Sequence, residues 1–338
     1  MSRRSLAHIT FGITLIILSV GLFGCNNRNQ VKETSKPSAT TVNSSKANKN
    51  LPKVLATTNI ICDLTKQIAA DTIRIKCLIP PKVNPHLYKP KSEDSKAIEQ
   101  AQLILFNGYD LESKLIEIIE NSNNSVPKIP VAEVAVPKPR KLKLNGKNVA
   151  DPHVWHDAEN GIEMAKVINE TLAKLSPENA SVYAKNSKKI NSELKQIDRW
   201  IKSRVASIPD RKRKFVTTHD AMSYYVRAYN FPFKRHLISI DNNQNVSQKR
   251  IEKFAENIRK DKAQVIFSDT NTDLQLTKSV AKAAKIEVSQ RPLFTNTLEK
   301  SGGDVDSYQR MMTTNTRTIV EALGGTYLIF EPDRKSVV

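Results

Sequence analysis

From Val54 onward, apolar positions along this chain fall into two alternating rhythms. Short β-rich runs at Lys53–Thr58, Ile73–Ile79 and Leu103–Asn107 predict strands, separated by helical stretches such as Ser92–Gln102. A helix is predicted over Gly161–Leu175, and the strand rhythm then restarts with Lys214–Thr218, Phe233–Ile240, Val265–Ser268 and Ile286–Gln290. Strand–helix alternation of this kind predicts the α/β class: two lobes with parallel sheets flanked by helices, wound by right-handed crossovers. Between the two sets lies a stretch from Pro177 to about Ile208. Ile190, Leu194, Ile197, Ile201 and Val205 recur there at steps of four, three, four and four, a single apolar stripe. Ser176 suits an N-cap, Pro177 the first helical position, and Glu178 complements the dipole. A helix of about 30 residues is roughly 45 Å long, enough to join two lobes rigidly.

The predicted organisation is an export signal at 1–24, a disordered tether at 25–50, a first lobe at 51–175, the linking helix at 176–208 and a second lobe at 209–332. Arg3 and Arg4 precede the nearly uncharged run Ile9–Gly24, the layout of an export signal. It closes with Leu22-Phe23-Gly24-Cys25, which resembles the lipobox of bacterial lipoproteins and implies acylation of Cys25. An uncleaved membrane anchor is the alternative; both place the rest of the chain outside the cytoplasm. Residues 26–50 are rich in Asn, Ser, Thr and Lys and hold too few apolar groups to offset their ordering entropy.

Charge changes this picture little. The 53 Lys and Arg against 34 Asp and Glu give +19, which falls to +17 without the two arginines of residues 1–24. The cations are dispersed apart from Arg211–Lys214, so nucleic acid is not an expected partner, and a solvated face drawn to anionic lipid headgroups is preferred. Pro137–Val149, with four Lys, one Arg and two Pro, reads as an exposed loop. Besides Cys25 the chain has Cys62 and Cys77. An exported chain permits one disulfide between them; two buried thiols are the alternative, and no nearby Cys or His completes a zinc site with the pair.

Five histidines follow the signal, and three occupy distinctive settings. His86 lies in Asn84-Pro85-His86-Leu87-Tyr88, His153 in Asp151-Pro152-His153-Val154-Trp155, and His219 in Thr218-His219-Asp220-Ala221. All three fall at strand ends or helix starts, where open α/β sheets bind ligands, and three imidazoles with one oxygen make an ordinary four-coordinate zinc site. Asp157 or Asp220 is expected to orient an imidazole through its other nitrogen. His156 is expected at the cleft rim and His236, inside a strand, as a structural residue. A zinc-dependent hydrolase would need Asp220 or Asp269 as general base, and no His-Glu-x-x-His or Gly-x-Ser-x-Gly motif is present.

These three motifs, in this order, resemble those of the zinc- and manganese-binding receptors of bacterial ABC importers, the cluster A-I solute-binding lipoproteins once grouped with adhesins. The resemblance runs from about Val54 to Leu323. It includes Leu293-Phe294-Thr295-Asn296-Thr297 and Asp306-Ser307-Tyr308-x-x-Met311-Met312. It implies a non-catalytic, monomeric, extracytoplasmic receptor with one divalent metal ion between its lobes, an ABC permease as partner, and a membrane anchor on Cys25. It also implies His86, His153 and His219 as ligands, with Asn296 at a fourth position where the family normally has Asp. His219, where manganese receptors often have Glu, favours zinc over manganese or iron. The basic segment Pro137–Val149 replaces the His- and acid-rich loop of many zinc receptors. Water or Asp269 is the alternative to Asn296 as fourth ligand.

Overall fold

The computed structural model describes residues 51–144, 147–238 and 246–333. The predicted signal, the tether and Cys25 lie outside these residues. In the first lobe, β1 (Lys53–Ala56), β2 (Arg74–Cys77), β3 (Leu103–Phe106) and β4 (Lys128–Pro130) form one parallel sheet in the order β2-β1-β3-β4. Its helices are α1 (Asn59–Ala69), α2 (Ser92–Gln100), α3 (Ser113–Asn121) and the short α4 (Val131–Ala135). The pleat divides the strand side chains by period two. Val54, Ala56, Leu103 and Leu105 join a core that continues toward the second lobe, whereas Leu55, Ile104 and Phe106 pack with Ile98 and Leu115 on the other face. β1 ends two residues before its predicted limit because Thr58 turns out of the sheet, its hydroxyl accepting from the Ile61 amide at the start of α1.

The segment Pro137–Val149 departs from the expected loop. Lys141–Leu144 (β5) and Lys147–Ala150 (β6) pair as an antiparallel hairpin, anchored by buried Leu142. Its lysines made the stretch look like loop by composition, but Leu142 and Leu144 alternate with them and Asn145-Gly146 is a strong hairpin signal.

α5 spans Ala158–Leu175, capped by the Asp157 carboxylate, and α6 spans Ala180–Ala206 after a single tight turn at Pro177–Asn179. The predicted stripe of Ile190, Leu194, Ile197, Ile201 and Val205 is buried as one face of α6. Ser176 does not cap backbone amides as expected; its hydroxyl pairs instead with the side chains of Glu178 and Asn179.

In the second lobe, β7 (Lys214–His219) pairs in parallel with β8 (Phe233–Ile238), and β9 (Val265–Ile266) with β10 (Glu287–Val288). A parallel bridge from Thr217 to Phe267 joins the two pairs. α7 (Ser223–Ala228), α8 (Gln248–Lys260), α9 (Leu274–Ala284) and α10 (Tyr308–Ala322) complete the lobe. Alternation again sorts the strands, with Phe215 and Phe267 facing the shared core and Val216 and Ile266 packing under α8 and α9. The chain is therefore a two-lobed α/β fold whose lobes share one core along α6, with Leu64, Trp155, Leu194, Phe215 and Tyr308 among its members. Cys62 and Cys77 sit on α1 and at the end of β2 with Cα atoms 5.8 Å apart, a separation that a disulfide spans.

Candidate metal centre

Two of the three histidines are presented by the same local device. In Asn84-Pro85-His86 the Asn84 side-chain oxygen accepts from the His86 amide at 3.0 Å, and in Asp151-Pro152-His153 the Asp151 carboxylate accepts from the His153 amide at 3.1 Å. An Asx side chain that captures the amide two residues on, with proline fixing the intervening φ, makes a stiff turn at the end of a connection. His219 is instead the last residue of β7, held in register with Ile238.

These placements bring the imidazoles together. One ring nitrogen from each of His86, His153 and His219 lies within 4.8 Å of the others, and the His86 and His153 Nε2 atoms are 3.1 Å apart. Nitrogens about 2.0–2.1 Å from a tetrahedral ion stand about 3.3 Å from one another, so the pair is already at ligand spacing. Two rings are backed by carboxylates. Asp151 Oδ1 lies 2.8 Å from His153 Nδ1, and Asp269 Oδ2 lies 3.2 Å from His219 Nδ1. A carboxylate only accepts, so each Nδ1 carries the hydrogen and each Nε2 offers its lone pair.

Burial favours the neutral form of His86 and His153. It pushes the His86 imidazole well below its usual range, helped by His153 and His219, and does the same for His153. Neutral imidazole is the form that binds metal, so deprotonation costs little at neutral pH. Asn296 is the residue expected at the fourth position. It is buried, and both its amide atoms are without a hydrogen-bond partner. Such atoms cost roughly 1–3 kcal/mol each, and a cation taking Oδ1 would relieve one of them.

The family model described as "Zinc-uptake complex component A periplasmic" matches residues 54–322. The chain belongs to the metal-binding solute-binding lipoproteins of bacterial ABC importers. It is 32% identical over 323 residues to the manganese ABC transporter substrate-binding lipoprotein scaA of Streptococcus gordonii, covering 93% of this chain and 98% of that protein. Its fold is similar to that of the periplasmic zinc binding protein TroA of Treponema pallidum, with a TM-score of 0.75, 29% identity, and 81% and 99% of the two chains covered. A manganese-bound variant of the periplasmic metal binding protein of Candidatus Liberibacter asiaticus is similar at a TM-score of 0.72 and 25% identity, with 80% and 99% covered.

The receptor family is non-catalytic, and this chain is an extracytoplasmic member with a single divalent metal site at the three histidines. Several neighbours of that site differ from expectation. Asp157 caps α5 and Asp220 pairs with Lys234 and lies 3.3 Å from His236; the orienting carboxylates are Asp151 and Asp269. His156 is fully buried rather than at the rim, its Nε2 donating to the Thr295 carbonyl at 2.9 Å, and burial pushes it down to about 3. Asp269 stands behind the His219 ring, and among the described residues no carboxylate joins the three-histidine cluster.

Sequence reasoning missed Asp151 as an orienting group, although its place two residues before a histidine in an Asx-Pro turn signals it. It also missed a buried support beneath that turn. Glu112 accepts from the Thr57 hydroxyl at 2.6 Å and the Asn107 amide at 2.7 Å, and the Asn107 side chain donates to the Pro152 carbonyl. Burial pushes the Glu112 carboxyl up to about 7. No pattern in the sequence marks this contact, because Thr57 and Pro152 lie far along the chain from the connection that holds Asn107 and Glu112.

Proposed function

We propose that this chain captures manganese outside the cytoplasm, anchored by an acylated Cys25, and delivers it to the permease of an ABC importer. The observation that carries capture is the convergence of His86, His153 and His219, two of them backed by carboxylates. Three Nε2 atoms hold the ion, with Asn296 Oδ1 as the fourth donor. Manganese is supported by the S. gordonii lipoprotein, matched over nearly its whole length, and by the manganese-bound neighbour of the same fold. A bridge between Cys62 and Cys77 belongs to this proposal, supported by their Cα separation and by the oxidising compartment.

Zinc is the second reading, and His219 favours it. Three imidazoles and a neutral amide are a borderline-soft set, and zinc outranks manganese at almost any such site. The similar treponemal protein is a zinc binding protein by name. Affinity order alone does not select cargo, because metal availability also decides which ion is loaded. The test is the metal content of the full-length protein isolated from its own cells without added metal. Manganese in near-stoichiometric amount supports the first reading; zinc alone replaces it with the second.

A further inference from the structure

Each orienting carboxylate of the metal centre is also tied across the boundary between the lobes. Asp151 uses Oδ1 for His153, and its other oxygen accepts from the hydroxyl of Ser223, the first residue of α7 in the second lobe. The neighbouring Tyr224 hydroxyl donates to the Asp151 carbonyl at 3.3 Å and accepts from the Arg140 amide at 2.8 Å. In the second lobe, Asp269 Oδ2 faces His219 and accepts from the Thr295 hydroxyl at 2.6 Å. The Thr295 carbonyl is in turn gripped from the first lobe by Trp155 Nε1 at 3.0 Å and His156 Nε2 at 2.9 Å. Asp151, Ser223, Thr295 and His156 are all buried, so water does not substitute for these partners while the lobes are in contact.

We propose that Ser223 and Thr295 are positioning residues that make metal retention depend on contact between the lobes, an inference resting on the reading that the three histidines hold the cargo. With Ser223 in place, the Asp151 carboxylate is fixed by hydrogen bonds on both oxygens and the His153 ring has one orientation. Separation of the lobes removes the Ser223 hydroxyl from Asp151 and the Trp155 and His156 donors from Thr295 in the same movement. The Asp151 carboxylate then loses a direct support, and Thr295, whose hydroxyl holds Asp269, loses the two donors that fix its carbonyl, so both rings lose their aim at the ion. A partner that parts the lobes would release metal without touching a ligand.

Two variants of the full-length protein test this, Ser223→Ala and Thr295→Val, the latter keeping the carbonyl. Release of manganese or zinc into excess chelator is followed by stopped flow, and metal-free protein is examined by NMR of the histidine ring N–H groups. The expected result is release accelerated about tenfold in each variant, at the low end for partners of metal ligands, with capture rates within about twofold of wild type. In metal-free protein, Ser223→Ala loses the protected His153 Nδ1–H signal and keeps that of His219, whereas Thr295→Val does the reverse. Ser223→Thr, which retains the hydroxyl, restores both readouts. Folded variants with wild-type release rates and both ring signals intact would overturn the proposal, and if one variant fails to fold the other decides it. A wild-type protein that takes up no metal would overturn the receptor reading, while the ring signals would still report on the ties.

Discussion

The Nε2 atoms of His86 and His153 stand 3.1 Å apart, although 67 positions separate the residues. With the His153 hydrogen held on Nδ1 by Asp151, its Nε2 points a lone pair at its neighbour. At that distance a neutral His86 carrying its hydrogen on Nε2 donates to this lone pair, whereas the tautomer with its hydrogen on Nδ1 turns a second lone pair toward it; burial disfavours the charged ring in either case. In the second tautomer the two nitrogens stand at ligand spacing for one metal ion.

Both imidazoles are held well below 6.5, so they remain neutral as pH falls through the range where free histidine charges. Exposed imidazole ligands would each lose about tenfold in affinity per pH unit below 6.5. Here His86 and His153 are expected to cost the site no affinity from pH 8 to pH 6. Calorimetry in buffers of different ionisation enthalpy should show no proton release from these two rings, and release of more than one proton per ion over that interval would contradict it.

Asn296→Asp places a carboxylate where the buried amide now lacks partners. A formal charge matters most to the harder, oxygen-preferring ion. Manganese affinity is expected to rise about tenfold or more, a change of about 1.4 kcal/mol, with a smaller effect on zinc. Competition titrations of both ions against the parent protein check this, and equal gains for both would show that the fourth position does not set selectivity.

Glu112 lends itself to a stability test with a defined sign. Its carboxyl is raised from 4.5 to about 7 by burial. The protonated form therefore favours the fold below pH 4.5, and that contribution is lost as pH rises through 7. A shift of this size corresponds to about 3 kcal/mol. Glu112→Gln does not titrate, so its stability relative to the parent should improve steadily between pH 5 and pH 8 in denaturant melts.

Gly161 sits in α5 against the ring of Tyr308, and a Cβ there would overlap that ring. The Tyr308 hydroxyl donates to the Trp155 carbonyl at 2.5 Å, next to the segment that carries His153 and His156. Gly161→Ala is expected to cost about 1–3 kcal/mol through overpacking and to weaken metal binding several-fold. Thermal melts with and without metal separate the two effects.

The α/β alternation, the linking helix and the three histidines were legible in the sequence because periodicity and short motifs encode them locally. The stripe from Ile190 to Val205 and the Asx-Pro-His turns need only neighbours a few positions away. The residues that aim the rings were less legible. Asp157 and Asp220 lie near histidines in sequence but point to Glu159, Lys234 and His236, while Asp269 reaches His219 from 50 positions away. The hairpin at Lys141–Ala150 was obscured by composition, since its lysines outweighed the alternation of Leu142 and Leu144.

His86, His153 and His219 make a single metal site. Calorimetry of metal-free protein with manganese and with zinc, alongside elemental analysis, checks this. One ion per chain is expected, with affinity reduced more than about 100-fold in His86→Ala/His153→Ala, beyond the loss typical of outer partners. No saturable uptake of either ion, or uptake unchanged in the double variant, would contradict it.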